Sequence, residues 1–249
     1  MVQQHLRCII GVIVVVGARE AVKVEPRVAL LAGASGLTGS ALLRLLLGDT
    51  PFARVIALSR RPLPLEHARL ANRILRMEEV EPALKGTRCS DAFCALGAAG
   101  GPRADAAQLT RVDLEFVLAF ARAARASGAS RFVVVSAAGA DRGAADAFLR
   151  TKGEMEVALR PLGFSAIDIL QPGVVVGTRA ADGTGELLRQ GLLTLAAPLL
   201  RRAKTPRSPI AAQDLAAAML GVAVAARPGV RVYTGESLTR AGQALRPAP

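Results

Sequence analysis

The segment Arg27-Val28-Ala29-Leu30-Leu31-Ala32-Gly33-Ala34-Ser35-Gly36-Leu37-Thr38-Gly39 decides the fold. Val28 to Ala32 are apolar without alternation, as a strand buried on both faces requires. Gly33 ends that run. Apolar residues then recur at helical spacing from Leu37 to Leu47 and stop at Gly48, so the segment reads as strand, glycine turn, helix. A second apolar run, Val55-Ile56-Ala57-Leu58, ends at Ser59-Arg60-Arg61 and completes a βαβ unit.

The alternation continues outward. Ala92-Phe93-Cys94-Ala95-Leu96 stops at Gly97, and a helix is expected over about residues 104–126 with Leu114, Val117, Leu118 and Ala121 on one face. Phe132-Val133-Val134-Val135 is the next buried strand, followed by a helix over residues 147–159. Ala166-Ile167-Asp168-Ile169-Leu170 then runs into Gln171-Pro172-Gly173. This order predicts an α/β fold, a Rossmann-type doubly wound parallel sheet with a small C-terminal substrate region. Residues 27–249 form one domain in this reading, with about 174–249 as its smaller, substrate-side part. From Gly185 onward two helices, a short strand at Val230 to Thr234 and a frayed tail are expected.

Composition narrows the function. Of 249 residues, 51% are hydrophobic and 21% charged, which suits a packed core and excludes a disordered chain. The net charge of +12 is scattered: four of the 32 cationic side chains are lysine, the arginines dot the whole length, and there is one Tyr and no Trp for stacking bases. That pattern weighs against a nucleic-acid partner. Cys8, Cys89 and Cys94 have no zinc or disulfide spacing, and His5 and His67 lie in terminal or linking segments, so neither a metal site nor histidine-based hydrolysis is expected. Residues 1–26 form an extension whose run from Cys8 to Val16 falls short of the about 20 residues that cross a bilayer. It reads as an extra strand or as a start upstream of the natural one, and a cytoplasmic protein without membrane association is expected. Nothing signals an oligomeric state.

The glycine motif carries the chemistry. Its glycines allow a tight turn and close backbone approach, and the helix behind it offers free amides and a positive dipole end to a pyrophosphate. Gly33, Ser35, Gly36, Leu37, Thr38 and Gly39 are therefore candidate cofactor contacts; the alternative is a turn that serves only helix–strand packing. Residues at the end of the second strand choose the dinucleotide, because a carboxylate there suits a ribose 2′-hydroxyl and an arginine suits a 2′-phosphate. Ser59, Arg60 and Arg61 stand there, with Arg60 21 positions after Gly39 and the nearest carboxylate, Glu66, beyond two prolines. NADP(H) is preferred over NAD(H).

Together with Phe93-Cys94-Ala95-Leu96-Gly97, Arg111-Val112-Asp113, Ser136-Ala137-Ala138-Gly139-Ala140-Asp141 and Lys152-Gly153-Glu154, these motifs resemble an atypical short-chain dehydrogenase/reductase. The chain from Arg27 onward is most similar to bacterial relatives of the Tat-interacting oxidoreductase-like branch, often described only as NAD(P)-binding proteins. The resemblance implies cofactor contacts at Leu96, Gly97, Lys152, Pro172 and Gly173, with Ser136 and Lys152 as catalytic residues. The tyrosine that such enzymes place four positions before the lysine falls on Phe148, which has no proton to donate. Gln171 stands where the family commonly has arginine, and the stretch Ile74-Leu75-Arg76-Met77-Glu78 lacks the aspartate that reads adenine, with Glu78 as its substitute. Asp214 reads as a helix N-cap and Tyr233 as an ordinary half-buried residue.

A positioned general acid contributes ~10²–10⁴-fold, so its loss weakens a carbonyl reductase without abolishing hydride transfer. The expected function is a weak or unconventional NADP(H)-dependent oxidoreductase on a carbonyl-type small molecule. The alternative is a non-catalytic NADP(H) redox sensor or regulatory protein with no substrate.

Overall fold

The computed structural model describes residues 26–177 and 208–243. The run from Cys8 to Val16 and whatever residues 178–207 contribute to the C-terminal part lie outside the described residues.

β1 (Arg27–Ala32) turns through the glycine motif into α1 (Leu37–Leu46) and returns as β2 (Phe52–Ser59). β3 (Leu70–Ile74), the single-turn α2 (Val80–Ala83) and β4 (Asp91–Cys94) follow. α3 (Ala106–Leu109) leads into α4 (Phe116–Ala126), and then come β5 (Arg131–Val135), α5 (Ala147–Leu159), β6 (Ala166–Gln171) and β7 (Val175–Val176). After the gap come β8 (Ile210–Ala211), α6 (Ala212–Ala225), β9 (Gly229–Thr234) and α7 (Gly235–Gln243). β7 and β8 pair as a two-stranded ribbon. The other strands form one sheet in the order β3-β2-β1-β4-β5-β6-β9, parallel at every pairing. The order reverses at β1, so a crevice opens where the carboxyl ends of β1, β2 and β4 diverge.

The unbroken apolar strands bury both faces. Leu31 and Phe93 pack with Leu42 and Leu46 of α1 and Leu215 and Met219 of α6 on one side, while Leu30, Ile56 and Val134 pack with Phe120 of α4 and Met155 of α5 on the other. Phe52 and Phe93 meet edge to face, with ring centroids 5.7 Å apart. At the opposite end of the strands the buried Asp91 is held by Arg27 at 2.5 Å and Arg131 at 3.5 Å, an internal ion cluster remote from the crevice. The C-terminal segment does not stand apart, since β9 extends the main sheet beside β6 and α6 packs on α1. Among the described residues no helix is long and apolar enough to cross a membrane.

Two elements differ from the expected ones. The third strand is Leu70–Ile74, and Met77–Glu79 is a 3-10 turn. The strand carries Asn72 and Arg73 and lies half-buried at the sheet edge, so no apolar run marks it. The helix expected over 104–126 begins at Ala106, capped by Asp105, and passes through a π-helical stretch, Thr110–Glu115, before α4. That stretch turns Asp113 into the interior, where the helical stripe would have placed only apolar side chains.

Candidate functional site

The glycine loop lies at the carboxyl end of β1. Gly33 has φ +84, and a Cβ there would lie 2.5 Å from the carbonyl oxygen of Ala95 after β4. A Cβ on Gly39 would lie 2.0 Å from the carbonyl oxygen of Gly33. The first position thus demands a left-handed backbone and the second a close helix–strand approach, the two roles expected of glycines in a dinucleotide loop. α1 opens on Gly36 with no side-chain cap and no acidic residue in its first turn. By contrast α3 and α5 open on Asp105 and Asp146, each accepting a backbone N–H. Ser35 is exposed, and Leu37 and Thr38 are half-buried at that uncapped end. This cradle, which a side chain would fill, and its unneutralised dipole fit a pyrophosphate.

Arg60 and Arg61 are exposed at the end of β2, one strand over from the glycine loop. Ser59 is buried and its hydroxyl donates to the Arg61 carbonyl at 2.7 Å, so it shapes the turn rather than facing a ligand. Leu96 and Gly97 follow β4 on the other side of β1, Leu96 half-buried and Gly97 exposed. After β6, Pro172 is buried with its carbonyl accepting the Ala138 N–H at 2.8 Å, and Gly173 is half-buried beside it. The sequence-predicted cofactor positions of the loops after β1, β2, β4 and β6 therefore share one edge of the sheet.

The catalytic candidates are brought near one another, but their polar atoms are engaged elsewhere. Lys152, 3% exposed on α5, pairs through Nζ with Asp113 Oδ1 at 2.6 Å, and the other Asp113 oxygen accepts the Ala98 N–H at 3.0 Å. Asp113 thus ties the loop after β4 to the lysine. The Ser136 hydroxyl donates to Oε1 of the buried Glu156, and the same oxygen accepts from Gln171 Nε2 at 2.8 Å. Phe148 presents its ring 6.0 Å from the Lys152 ammonium. Phe148 has no proton to give, the Ser136 hydroxyl is committed to a carboxylate, and Lys152 is held by an aspartate, so among these positions only the remaining N–H bonds of the Lys152 ammonium can serve a ligand. Sequence reasoning gave Asp113 no role and missed Glu156; the available signals were an acid within an apolar helical stripe and an acid one turn beyond Lys152 on its own helix.

Other candidates fall away from the crevice. Glu78 pairs with Arg111, and its own backbone amide and that guanidinium hold its carboxyl below the ordinary range. Tyr233 in the edge strand β9 donates to Asp168 Oδ1 on β6 at 3.1 Å, and burial pushes the Asp168 carboxyl up to about 6 and the phenol up to about 12. Asp214 sits in the first turn of α6, whose N-cap is Ala211, which corrects the cap expectation. Cys89 and Cys94 are buried and their thiols are raised to about 11 and about 12 by desolvation, so neither is a ready nucleophile.

Residues 33–174 match the NAD(P)H-binding family. Among curated proteins, Protein HTATIP2 of Rattus norvegicus is 33% identical over 176 residues, 68% of this chain and 72% of that protein. Protein FMP52, mitochondrial, of Eremothecium gossypii is 32% identical over 157 residues, 63% of this chain and 70% of its own length. The Bordetella bronchiseptica enzyme WbmH, solved in complex with NAD+, superposes with a TM-score of 0.62 at 18% identity, covering 83% of this chain and 74% of that one. Several relatives carry the mitochondrial FMP52 name, which overturns the purely cytoplasmic placement expected from the sequence. That placement was inferred from the cofactor-binding fold, and a dinucleotide cradle folds alike in either compartment.

Proposed function

The chain belongs to the NAD(P)H-binding Rossmann family, and on that footing we propose that it is an NADP(H)-binding protein that responds to dinucleotide occupancy, with carbonyl reduction disabled at the proton-transfer step. Gly33 and Ser35 to Gly39 hold the pyrophosphate, Arg60 and Arg61 the 2′-phosphate, and Leu96, Gly97, Pro172 and Gly173 line the nicotinamide end. Bound, the cofactor supplies a hydride donor or acceptor. The observation that carries the reading is how the catalytic set is committed: Ser136 donates to Glu156, Lys152 is paired with Asp113, and a phenyl ring stands at 148. Preference for the 2′-phosphate rests on the two exposed guanidiniums, whose bidentate geometry suits a phosphate.

A second reading, a weak oxidoreductase on a carbonyl-type substrate, is favoured by one feature, the retention of Lys152 one helical turn after Phe148. Turnover of NADPH against a panel of aldehydes and ketones separates the two when Phe148→Tyr is measured beside the natural protein. Tight NADPH binding with no turnover in either supports the binding protein, and a gain of about a hundredfold or more in the variant establishes a degenerate reductase site.

A further inference from the structure

We infer that Asn72 is a specificity-positioning residue, which fixes the arginine turn in the shape that takes an adenosine 2′-phosphate; this rests on the NADP(H) reading above. Asn72 lies on β3, opposite Ala57 of β2, and belongs to none of the motifs that identify the site. Its Nδ2 donates to Ser59 Oγ at 2.7 Å and to the Ala57 carbonyl at 3.2 Å, while its Oδ1 accepts the Leu63 N–H at 3.0 Å. Ser59 Oγ in turn donates to the Arg61 carbonyl at 2.7 Å. One side chain therefore closes a hydrogen-bonded bracket around residues 59–63, and the exposed Arg60 and Arg61 project from between its two anchored ends.

The rest of the turn supplies only part of that order. Pro62 and Pro64 restrict φ but have no N–H to bond, and Leu63 and Leu65 pin the far end by packing on the core. The arginines are solvent-exposed, and their guanidiniums have long, flexible stems. A backbone already held in one shape lowers the ordering cost of gathering two cations around one phosphate, which is preorganisation rather than contact. Asparagine suits the place because its amide donates on one side and accepts on the other in a single plane. Aspartate keeps the acceptor for Leu63 and loses the donor for Ser59.

The test measures dissociation constants for NADPH and NADH by the cofactors' own fluorescence, in the natural protein, Asn72→Ala, Asn72→Asp, Ser59→Ala and the double variant Ser59→Ala/Asn72→Ala. Thermal melts establish folding, and Asn72→Asp with Ser59→Ala carries the comparison if Asn72→Ala does not fold. The expected result is a fall of about five- to tenfold in the NADPH-over-NADH preference for either alanine variant, the scale of freeing one or two long side chains. The double variant should fall no further than the worse single one, because both break the same bracket. A natural preference that survives Asn72→Ala and Asn72→Asp overturns the inference alone. Affinity lost equally for both cofactors also overturns it, since it marks a merely structural residue. Equal NADPH and NADH affinities in the natural protein overturn the NADP(H) reading and this inference with it.

Discussion

Replacing Asp113 by alanine removes the carboxylate partner of a lysine that is 3% exposed, and it also strips the Ala98 N–H of its acceptor. Lys152 keeps a long contact of 3.4 Å to the Val135 carbonyl and the Phe148 ring at 6.0 Å, neither of which is a counterion. Breaking a buried pair from one side costs about 3–5 kcal/mol, because the surviving charge stays desolvated without a counterion. Against the about 5–15 kcal/mol typical of a folded domain, that is a fifth or more of the stability. For a chain of this length it corresponds to a fall of about 10 °C in Tm. The assay is urea unfolding followed by circular dichroism, since the chain has no Trp. A double variant, Asp113→Leu with Lys152→Met, removes both charges and should return to within about 1–2 kcal/mol of the natural protein, as apolar replacements of buried pairs do. The reasoning is refuted by an Asp113→Ala cost below about 1 kcal/mol, or by a double variant as unstable as the single one. The double variant also separates the two roles of Lys152: if its ammonium contacts the cofactor, this stable protein binds NADPH more weakly.

Two further outcomes follow from the geometry. Gly39→Ala places a Cβ 2.0 Å from the Gly33 carbonyl oxygen, two backbone groups with no flexible end to yield, so the variant should lose NADPH binding at least tenfold and melt lower than the natural protein. Fluorescence titration beside a melt checks this. Burial raises Asp168 to about 6 in the folded chain from 3.8, so the native state binds this proton more tightly than the unfolded chain, and stability falls as pH rises between those values. Asp168→Asn should therefore raise Tm at pH 7.5, by on the order of 1 kcal/mol of stability, with the gain shrinking toward pH 4; a gain that grows on acidification contradicts the assignment.

The alternation of strands and helices was readable because both sheet faces are covered, which makes β1, β2, β4, β5 and β6 continuous apolar runs that only a parallel sheet explains. β3 escaped because an edge strand need not be apolar, and its one chemically telling residue, Asn72, looks like any loop asparagine until it is seen to span two strands. The glycine motif was readable for a local reason: its three glycines fall within seven residues, even though the contact that crowds Gly33 comes from Ala95 after β4. The Lys152–Asp113 pair was not, because it depends on a π-helical stretch that shifts one residue of a helix into the interior, and no residue type marks that shift. Ser136 was recognisable as a strand-end serine, yet sequence does not say where its hydroxyl goes. That depended on Glu156, 20 positions away on another element.

The fate of Ser136 follows from strand parity. Phe132 and Val134 face the layer of α4 and α5, and Val133 faces the opposite layer, so Ser136 continues toward α5, where Glu156 waits. The positions after it, Ala137 and Ala138, are buried and carry no hydroxyl. Gln171 completes the arrangement from β6 by donating to the same carboxylate oxygen that Ser136 engages. An arginine at 171 would bring a full positive charge to that carboxylate and compete with the serine for it, whereas the neutral amide shares it. The absent phenol and the diverted serine are therefore two parts of one arrangement, in which the polar side chains beyond the carboxyl ends of β5 and β6 satisfy one another. A phenol restored at 148 would meet a lysine already paired and a serine already donating. For that reason, turnover in Phe148→Tyr requires Lys152 to exchange Asp113 for the ribose, and its absence would mean that the buried pairs outcompete the cofactor.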